Sequence, residues 1–336
     1  MNGMSVRVRV LAVLGVAVVL AVVATLYIQG AAARTPSSDG AAAAAGPVTL
    51  DAAPVLLTVT DRHVATVSTS DPSGPRTVSG VECVRAYAAG GTGICLQPAT
   101  PWTYRMVVLD RTLTPVRSAD IPGLPNRARV SASGRLVAWT TFVGGDSYNS
   151  GGFSTRTGIL DTRDGTMVAS LEEFTASRDG VVVKAADRNF WGVTFAADDN
   201  TFYATMSTGG HRYLMKGDLA ARSLHTVADN VECPSLSPDG TRIAFKHAID
   251  GDPTRGWRLS VLDLGTLAVT PLAETASVDD QPAWLSGDTI GYTLRQGDGR
   301  PDVWSVPASG GGAPRLLVPG AESPAALDGV TARTNG

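Results

Sequence analysis

Val231–Phe245, with the sequence Val-Glu-Cys-Pro-Ser-Leu-Ser-Pro-Asp-Gly-Thr-Arg-Ile-Ala-Phe, decides the fold of this chain. It predicts two short strands joined by a tight turn, because Pro238 fixes φ at the second turn position and Gly240 accepts a positive φ. Trp257–Asp263 alternates apolar and polar residues as a half-buried strand does, and Ala268–Glu274 follows after another turn. Four short antiparallel strands in roughly 45 residues are typical of one blade of a β-propeller.

The third strand of this blade has counterparts at intervals of about fifty residues, as a repeat architecture requires. They are Tyr104–Asp110, Arg156–Asp161, Tyr213–Asp218 and Val303–Ala308. The composition agrees, since 37 Gly and 20 Pro residues favour many turns over long helices. The sequence therefore predicts an all-β repeat fold.

The two ends of the repeat array complete one another. Val55–Thr60, Val64–Ser68 and Pro75–Ser79 supply only three strands, whereas Glu322–Leu327 resembles an innermost strand with no blade after it. Pairing the N- and C-terminal strands closes the ring and removes two exposed sheet edges. We therefore predict a six-bladed β-propeller of four-stranded blades over residues 55–327. The other blades are 80–123, 124–173, 176–229, 230–276 and 278–320, with a C-terminal tail at 328–336.

The N-terminal part of the sequence predicts a membrane anchor. Val10–Ile28 is uncharged and long enough to cross a bilayer as one transmembrane helix, and two arginines precede it on the side expected to stay cytoplasmic. Such a signal anchor leaves residues 1–9 in the cytoplasm and the propeller outside, at the end of a low-complexity tether, 29–54. Alternatively, Ala31–Ala33 offers small residues to a signal peptidase, and the protein is secreted after cleavage.

Charge and motifs exclude several classes of function. The net charge is only -3 and no basic stripe occurs, so the electrostatic footprint of a nucleic-acid-binding protein is missing. The four histidines are too scattered for a metal cluster. The sequence contains no Gly-x-Ser-x-Gly, His-Glu-x-x-His or Cys-x-x-Cys motif and no Walker-type loop, and it predicts no catalytic residues.

Two blades carry a resemblance to a known family. Leu236–Phe245 and Pro282–Gly291 resemble the repeats of TolB-like six-bladed propellers. The resemblance implies the fold for residues 55–327, but the fold by itself does not imply a function. TolB also has a separate α/β domain before its propeller, and here only the tether occupies that position. A role in the Tol-Pal system is therefore not carried over.

Alignment of the repeats predicts a ring of polar side chains at one mouth of the propeller channel. The residues at the entry to the six innermost strands are Glu82, Asn126, Trp191, Glu232, Asp280 and Glu322. Clustered carboxylates raise one another's pKa unless a cation compensates them, and they favour hard ions such as Ca²⁺. We therefore expect an acidic ring that binds calcium or a basic segment of a partner. The alternative is that each acid only accepts hydrogen bonds from backbone amides.

The cysteines leave two possibilities open. Cys83 and Cys95 lie on consecutive antiparallel strands and can form a disulfide outside the cytoplasm, or they can stay reduced. Cys233 lies three blades away from Cys83, too far for a bridge, and is expected to be a buried free thiol.

Three classes of function fit these observations. The first is a membrane-tethered, extracytoplasmic propeller that binds a protein or peptide of the cell envelope, which needs no catalytic group. The alternative is a metal-dependent enzyme of the lactonase or lyase type that uses the acidic mouth together with Asn126. The third is an accessory or sensor subunit, and a sensor would require a partner in the membrane.

Overall fold

The computed structural model describes residues 46–51, 54–100, 103–144 and 154–327, with Val18, Leu20, Val22 and Thr25. The chain divides into two compact units, 1–40 and 41–336, and the propeller lies in the second. Within the described ranges, no helix has the length and apolar character needed to span a membrane. Apart from those four residues, the predicted anchor at 10–28 lies outside the described part, as do the cytoplasmic segment at 1–9 and the tail at 328–336.

Short β-strands build nearly all of the described chain. In the first half they are β1 (Val55–Thr60), β2 (His63–Ser68), β3 (Arg76–Glu82), β4 (Arg85–Ala89), β5 (Thr92–Thr100), β6 (Thr103–Leu109), β7 (Pro115–Ile121), β8 (Leu124–Val130), β9 (Leu136–Val143), β10 (Ser154–Asp161), β11 (Met167–Val168), β12 (Thr175–Arg178) and β13 (Val181–Val182). In the second half they are β14 (Asn189–Phe195), β15 (Thr201–Thr208), β16 (His211–Asp218), β17 (Ser223–Asp229), β18 (Glu232–Leu236), β19 (Arg242–Ala248), β20 (Trp257–Asp263), β21 (Val269–Pro271), β22 (Ala283–Trp284), β23 (Thr289–Arg295), β24 (Pro301–Pro307), β25 (Arg315–Val318) and β26 (Ala321–Leu327). Three 3₁₀ turns lie at Leu171–Glu173, Ile249–Gly251 and Pro253–Arg255.

These strands form six sheets, and each sheet is one blade. Five sheets have four strands, with the orders β26-β1-β2-β3, β4-β5-β6-β7, β8-β9-β10-β11, β18-β19-β20-β21 and β22-β23-β24-β25 from the channel outward. In blade 1 the C-terminal strand β26 pairs with β1, and Leu327 is opposite Val55. The prediction of a six-bladed propeller closed by its two end strands is confirmed.

Blade 4 departs from the prediction of four strands. Its sheet has six strands, in the order β14-β15-β16-β17-β12-β13 from the channel outward. The first strands of the predicted blade at 176–229, β12 and β13, therefore lie at the outer edge of the sheet and not at the channel. There β12 runs parallel to β17. A local cause is the Asp179–Gly180 turn, in which both residues have positive φ, because such a turn folds the chain into a tight hairpin.

Apolar side chains fill the spaces between neighbouring blades. The cluster between blades 5 and 6 includes Ala244, Val261, Ile290 and Tyr292, and that between blades 3 and 4 includes Leu136 and several aromatic side chains. Every inner strand is therefore fixed by the blades on both sides, which holds the channel-lining residues in place.

Cys83 and Cys95 form a disulfide, with their Cα atoms 5.5 Å apart, and Cys233 is a buried free thiol. The bridge joins the segment that enters blade 2 to β5, the second strand of that blade. It thereby fixes the start of an inner strand that lines the channel.

Truncation of the chain after Gly320 should prevent cooperative folding, because it removes β26, exposes the edge of β1 and uncovers the core that Ala325 and Leu327 fill. Loss of a buried leucine side chain alone typically costs about 2–5 kcal/mol, out of a total stability of roughly 5–15 kcal/mol. Truncation after Leu327 is the matched control and should melt as the full chain does in a circular-dichroism scan. Equal melting of the two variants would contradict the closure.

The double variant Cys83→Ala/Cys95→Ala should lose about 3 kcal/mol of unfolding free energy, the value that loop-closure entropy gives for a bridge of this short span. Chemical denaturation measures the loss. Reductant should lower the stability of the wild type by the same amount and leave the double variant unchanged. A variant as stable as the oxidised wild type would show that the bridge does not constrain the unfolded chain.

Candidate functional site

The central channel is the candidate functional site. The strands that line it are β26, β4, β8, β14, β18 and β22, the innermost strands of the six blades. The end at which these strands begin is called the charged mouth below, and the opposite end, where they finish, contains a cavity.

Three inner strands share a backbone irregularity at the charged mouth. Gly192, Cys233 and Ser323 all have positive φ, and each directly follows a predicted site residue, namely Trp191, Glu232 and Glu322. The register of these strands shifts at the same place. In blade 4 only glycine fits, because a Cβ on Gly192 would lie 2.7 Å from the Cα of Cys233. The shared bulge gives Trp191, Glu232 and Glu322 equivalent places in their blades.

The charged mouth is a continuous chain of ion pairs in which basic and acidic side chains alternate. We call these nine residues, which come from all six blades, the charge chain. In spatial order they are Arg212, Glu232, Lys246, Asp279, Arg127, Asp280, Arg85, Glu322 and Arg295.

Glu232 lies between two cations at one end of the charge chain. Its Oε1 is 3.1 Å from Arg212 Nε and its Oε2 is 3.8 Å from Lys246 Nζ. Oε1 nevertheless has no aligned hydrogen-bond donor among the described residues, and Glu232 is only 3% exposed. Burial outweighs the attraction of Lys246 and Arg212 and raises the pKa of Glu232 to about 7.

Asp280 and Glu322 meet at the other end of the charge chain, where they share Arg85. Arg85 Nη1 is 3.7 Å from Asp280 Oδ1 and 3.2 Å from Glu322 Oε2, and Arg295 Nη2 is 2.7 Å from the same oxygen of Glu322. Burial alone would raise the pKa of Asp280, but Arg85 and Arg127 outweigh it and hold this pKa below its usual range.

Of the predicted ring, the structure thus brings Glu232, Asp280 and Glu322 into one network. Asn126 lies beside it, at a narrow gap lined also by Arg85 and Asp280. Glu82 lies elsewhere: it ends β3, the outermost strand of blade 1, is half exposed and pairs with Arg62 at 2.7 Å.

Three predicted ring positions hold no acid at the mouth, and one of them is Asn126 in blade 3. In blade 2 the equivalent position is occupied by Arg85. Arg85 is the first residue of β4, just as Glu232 is the first residue of β18, and the two strands have the same length. In blade 4 the position is occupied by Trp191, which is buried with 4% of its surface exposed. Among the described residues, no group of three or more His, Cys, Asp or Glu side chains is placed to hold a metal ion. The network is therefore charge-compensated by arginine and lysine, and it offers no open set of carboxylates for Ca²⁺.

Sequence reasoning missed the basic half of this network. Arg127 and Arg129 alternate along β8 and are 6% and 4% exposed. Arg127 and Arg129 are at positions i and i+2 of a strand, next to the apolar Ala128 and Val130, so they point to the same face, which was the available signal.

Behind the charged mouth, polar side chains close the middle of the channel. Gln281 Nε2 donates to the carbonyl oxygens of Val193, at 3.1 Å, and Pro234, at 2.8 Å, and so joins blades 4, 5 and 6. Arg129 Nη2 donates to the carbonyl oxygen of Pro282 at 3.0 Å, from blade 3 to the opposite blade 6. The channel is thus a blind pocket, open at the end away from the charged mouth.

That open end contains a cavity of about 300 Å³, to which all six blades contribute. Its apolar walls include Phe195, Leu236, Trp284 and Leu285. The indole N–H of Trp284 is satisfied, because it donates to the carbonyl oxygen of Ser235 at 2.9 Å.

Arg129 is the buried cation of the cavity. Its guanidinium carbon lies 4.3 Å from the centre of the Tyr87 ring, and its Nε is buried without a hydrogen-bond partner. Within the described residues, no carboxylate lies within 4 Å of Arg129. The cavity therefore combines apolar walls with one guanidinium that lacks an acidic partner.

Replacing Glu232 by Gln should stabilise the protein at pH 8 and leave its stability unchanged near pH 4. Because the pKa is raised from 4.5 to about 7 on folding, the folded protein keeps a proton that the unfolded chain has lost, and wild-type stability falls as pH rises through this window. The difference between variant and wild type should grow to the order of 3 kcal/mol by pH 8. Urea unfolding at several pH values measures it, with the exposed Glu82→Gln as control. A difference independent of pH would contradict the assignment.

Comparison with known proteins is informative only at the level of structure. No protein-family model matches the sequence, and no curated protein matches it significantly. TolB from Acinetobacter baumannii is 16% identical, with a TM-score of 0.61 over 82% of this chain and 67% of that one. A protein assigned as TolB from Agrobacterium tumefaciens is 13% identical, with a TM-score of 0.50 over 80% and 90% of the two chains. A chain of the nidogen–laminin complex is 10% identical, with a TM-score of 0.56 over 82% and 98%. At these identities the likeness shows the fold alone: this chain has a six-bladed β-propeller fold similar to that of TolB.

Proposed function

We propose that this protein is a binding module that receives a segment of a protein or peptide in the cavity of its propeller. The observation that carries the proposal is the cavity itself, which is blind, has apolar walls from several blades and contains one buried guanidinium. Ligand pockets are usually concave and combine apolar side chains with fixed polar groups, and the lining of this cavity contains polar and apolar surface in about equal parts.

Binding fits the chemistry of the lining better than catalysis does. The enzyme alternative needs metal ligands or an activated nucleophile that converge on one point. Among the described residues, the acids of the charged mouth are paired with arginine and lysine. The cavity lining provides Arg129, aromatic and aliphatic side chains, and Asp239, which pairs with Arg242 and accepts hydrogen bonds from Ser237 and Thr241. A guanidinium, apolar walls and a carboxylate that is already paired can hold a ligand in place, but they do not form the convergent set of groups that catalysis needs.

We further propose that the propeller acts outside the cytoplasm, attached to the membrane through Val10–Ile28, with an envelope protein as its partner. The uncharged run with arginines before it supports this proposal. The disulfide between Cys83 and Cys95 also supports it, because disulfides persist in oxidising compartments.

The proposal can be tested by site-specific photo-crosslinking of the full-length chain in the cells that produce it. Benzoylphenylalanine in place of Leu236, which lines the cavity, should crosslink to one protein through one defined segment, identified by mass spectrometry. Benzoylphenylalanine in place of Val116, which is 61% exposed on the outer strand of blade 2, is the control and should not give this product.

A blocking substitution makes the test specific for the cavity. Ala132→Trp, at an exposed position that lines the cavity, should abolish the crosslink, whereas Ala221→Trp, exposed on a turn of blade 4, should not. The proposal fails if no protein is crosslinked through Leu236, or if the crosslink survives Ala132→Trp.

A further inference from the structure

We propose that Arg129 binds a carboxylate, and that the ligand of the cavity carries a single carboxylate on an apolar body of about the size of one amino-acid residue. The inference concerns the cavity of the proposed function and deepens it by naming the chemical class of the bound group.

The first step is the unbalanced charge of Arg129. A buried cation is costly unless it is paired and hydrogen-bonded. All five basic side chains of the charge chain have an acidic partner. Arg127, two residues earlier on the same strand, is 3.8 Å from Asp280 and 3.6 Å from Asp279. Arg129 is as buried as Arg127, yet its partners among the described residues are the carbonyl oxygen of Pro282 and the face of Tyr87.

The surroundings do not neutralise Arg129 from a distance. The charge chain holds five basic and four acidic side chains, so it is itself positive by one charge. The one carboxylate in the cavity lining is Asp239, which pairs with Arg242 at 3.4 Å. Hydrogen bonds from the Ser237 hydroxyl and from Thr241 hold the pKa of Asp239 well below its usual range, so this carboxylate stays ionised.

The geometry of Arg129 favours a planar anion. A guanidinium has five N–H donors in a flat fork that matches the two oxygens of a carboxylate. Stacking on Tyr87 and the bond to Pro282 fix the plane of this fork, and Nε has no partner among the described residues. The group is therefore oriented before a ligand arrives.

Charge and size restrict the anion. A single guanidinium compensates one negative charge, and the ionised Asp239 at the same cavity disfavours a second, so a monocarboxylate fits better than a phosphate dianion. The cavity of about 300 Å³ is at the small end of ligand pockets, which span roughly 300–1,000 Å³. Phe195, Trp284 and Leu285 provide an apolar surface for the body of the ligand.

A carboxylate of this kind has two sources: the C-terminus of a peptide, or a free carboxylic acid. The probes are therefore N-acetyl-phenylalanine, its uncharged amide, the peptide acetyl-Ala-Ala-Phe with a free or an amidated C-terminus, and inorganic phosphate. Each is titrated into the purified full-length chain by calorimetry.

The acid forms should bind at least tenfold more tightly than the matched amides. A charge-assisted bidentate contact stabilises a complex by more than the roughly 1.4 kcal/mol that corresponds to a tenfold change in affinity. Arg129→Gln should remove this preference and leave the affinity for the amides unchanged. Arg129→Lys keeps the charge but not the planar fork, and it should retain part of the preference. This variant also shows whether the protein needs a cation at this position in order to fold. Arg105→Gln, which removes an exposed arginine on blade 2, should behave as the wild type.

The outcomes separate this inference from the proposed function. The inference is overturned if acids and amides bind equally, or if Arg129→Gln keeps the preference for acids. It is also overturned if phosphate displaces N-acetyl-phenylalanine and binds with the same affinity as N-acetyl-phenylalanine. If both forms of the peptide bind equally, the peptide-binding function stands and the role of Arg129 falls. If N-acetyl-phenylalanine binds but the peptide acid does not, the carboxylate site stands and the peptide-binding function falls.

Discussion

Pairing of charges across the channel is the interaction on which the centre of this propeller depends. Six strands converge on one axis, and polar side chains that point inward meet little water there. A buried ion that loses its partner costs about 3–5 kcal/mol, so the most buried members of the charge chain, such as Arg127 and Asp280, need a counter-charge on another blade. The charge chain provides this by alternating basic and acidic groups from Arg212 to Arg295, which ties all six blades together at one end.

The backbone prepares this pairing. The residue after Trp191, Glu232 and Glu322 has positive φ in each strand, so the chain enters the channel with the same bulge in three blades. A bulge changes the direction of the adjacent side chain without breaking the sheet further along. The same strands can thus carry ion-paired groups at the charged mouth and apolar groups at the cavity, and the two ends of the channel have different chemistry.

The sequence predicted the parts of the fold that repeat. Strand periodicity and the turn at Pro238–Gly240 were enough for the six blades, and the unpaired strand at Glu322–Leu327 was enough for ring closure. The hairpin at β12 and β13 was missed because it is an insertion in one blade. Glu82 was assigned to the channel because the inner strand of blade 2 was placed three residues too early in the chain, and Arg85 occupies that place. The partners of Glu232, Asp280 and Glu322 could not be predicted, since Arg127 reaches Asp280 from the opposite side of the ring and no local spacing encodes such a contact.

Ring closure through β1 and β26 also decides where other molecules can be attached to this protein. Val55 is opposite Leu327, and both Leu50 and Leu327 line the cavity, so the described chain enters and leaves the propeller at the cavity end. A reporter fused after residue 327 would therefore stand at the opening of the pocket and obstruct it. The turn at Gln296–Arg300 follows Arg295 at the charged mouth, and an insertion there would leave the pocket accessible.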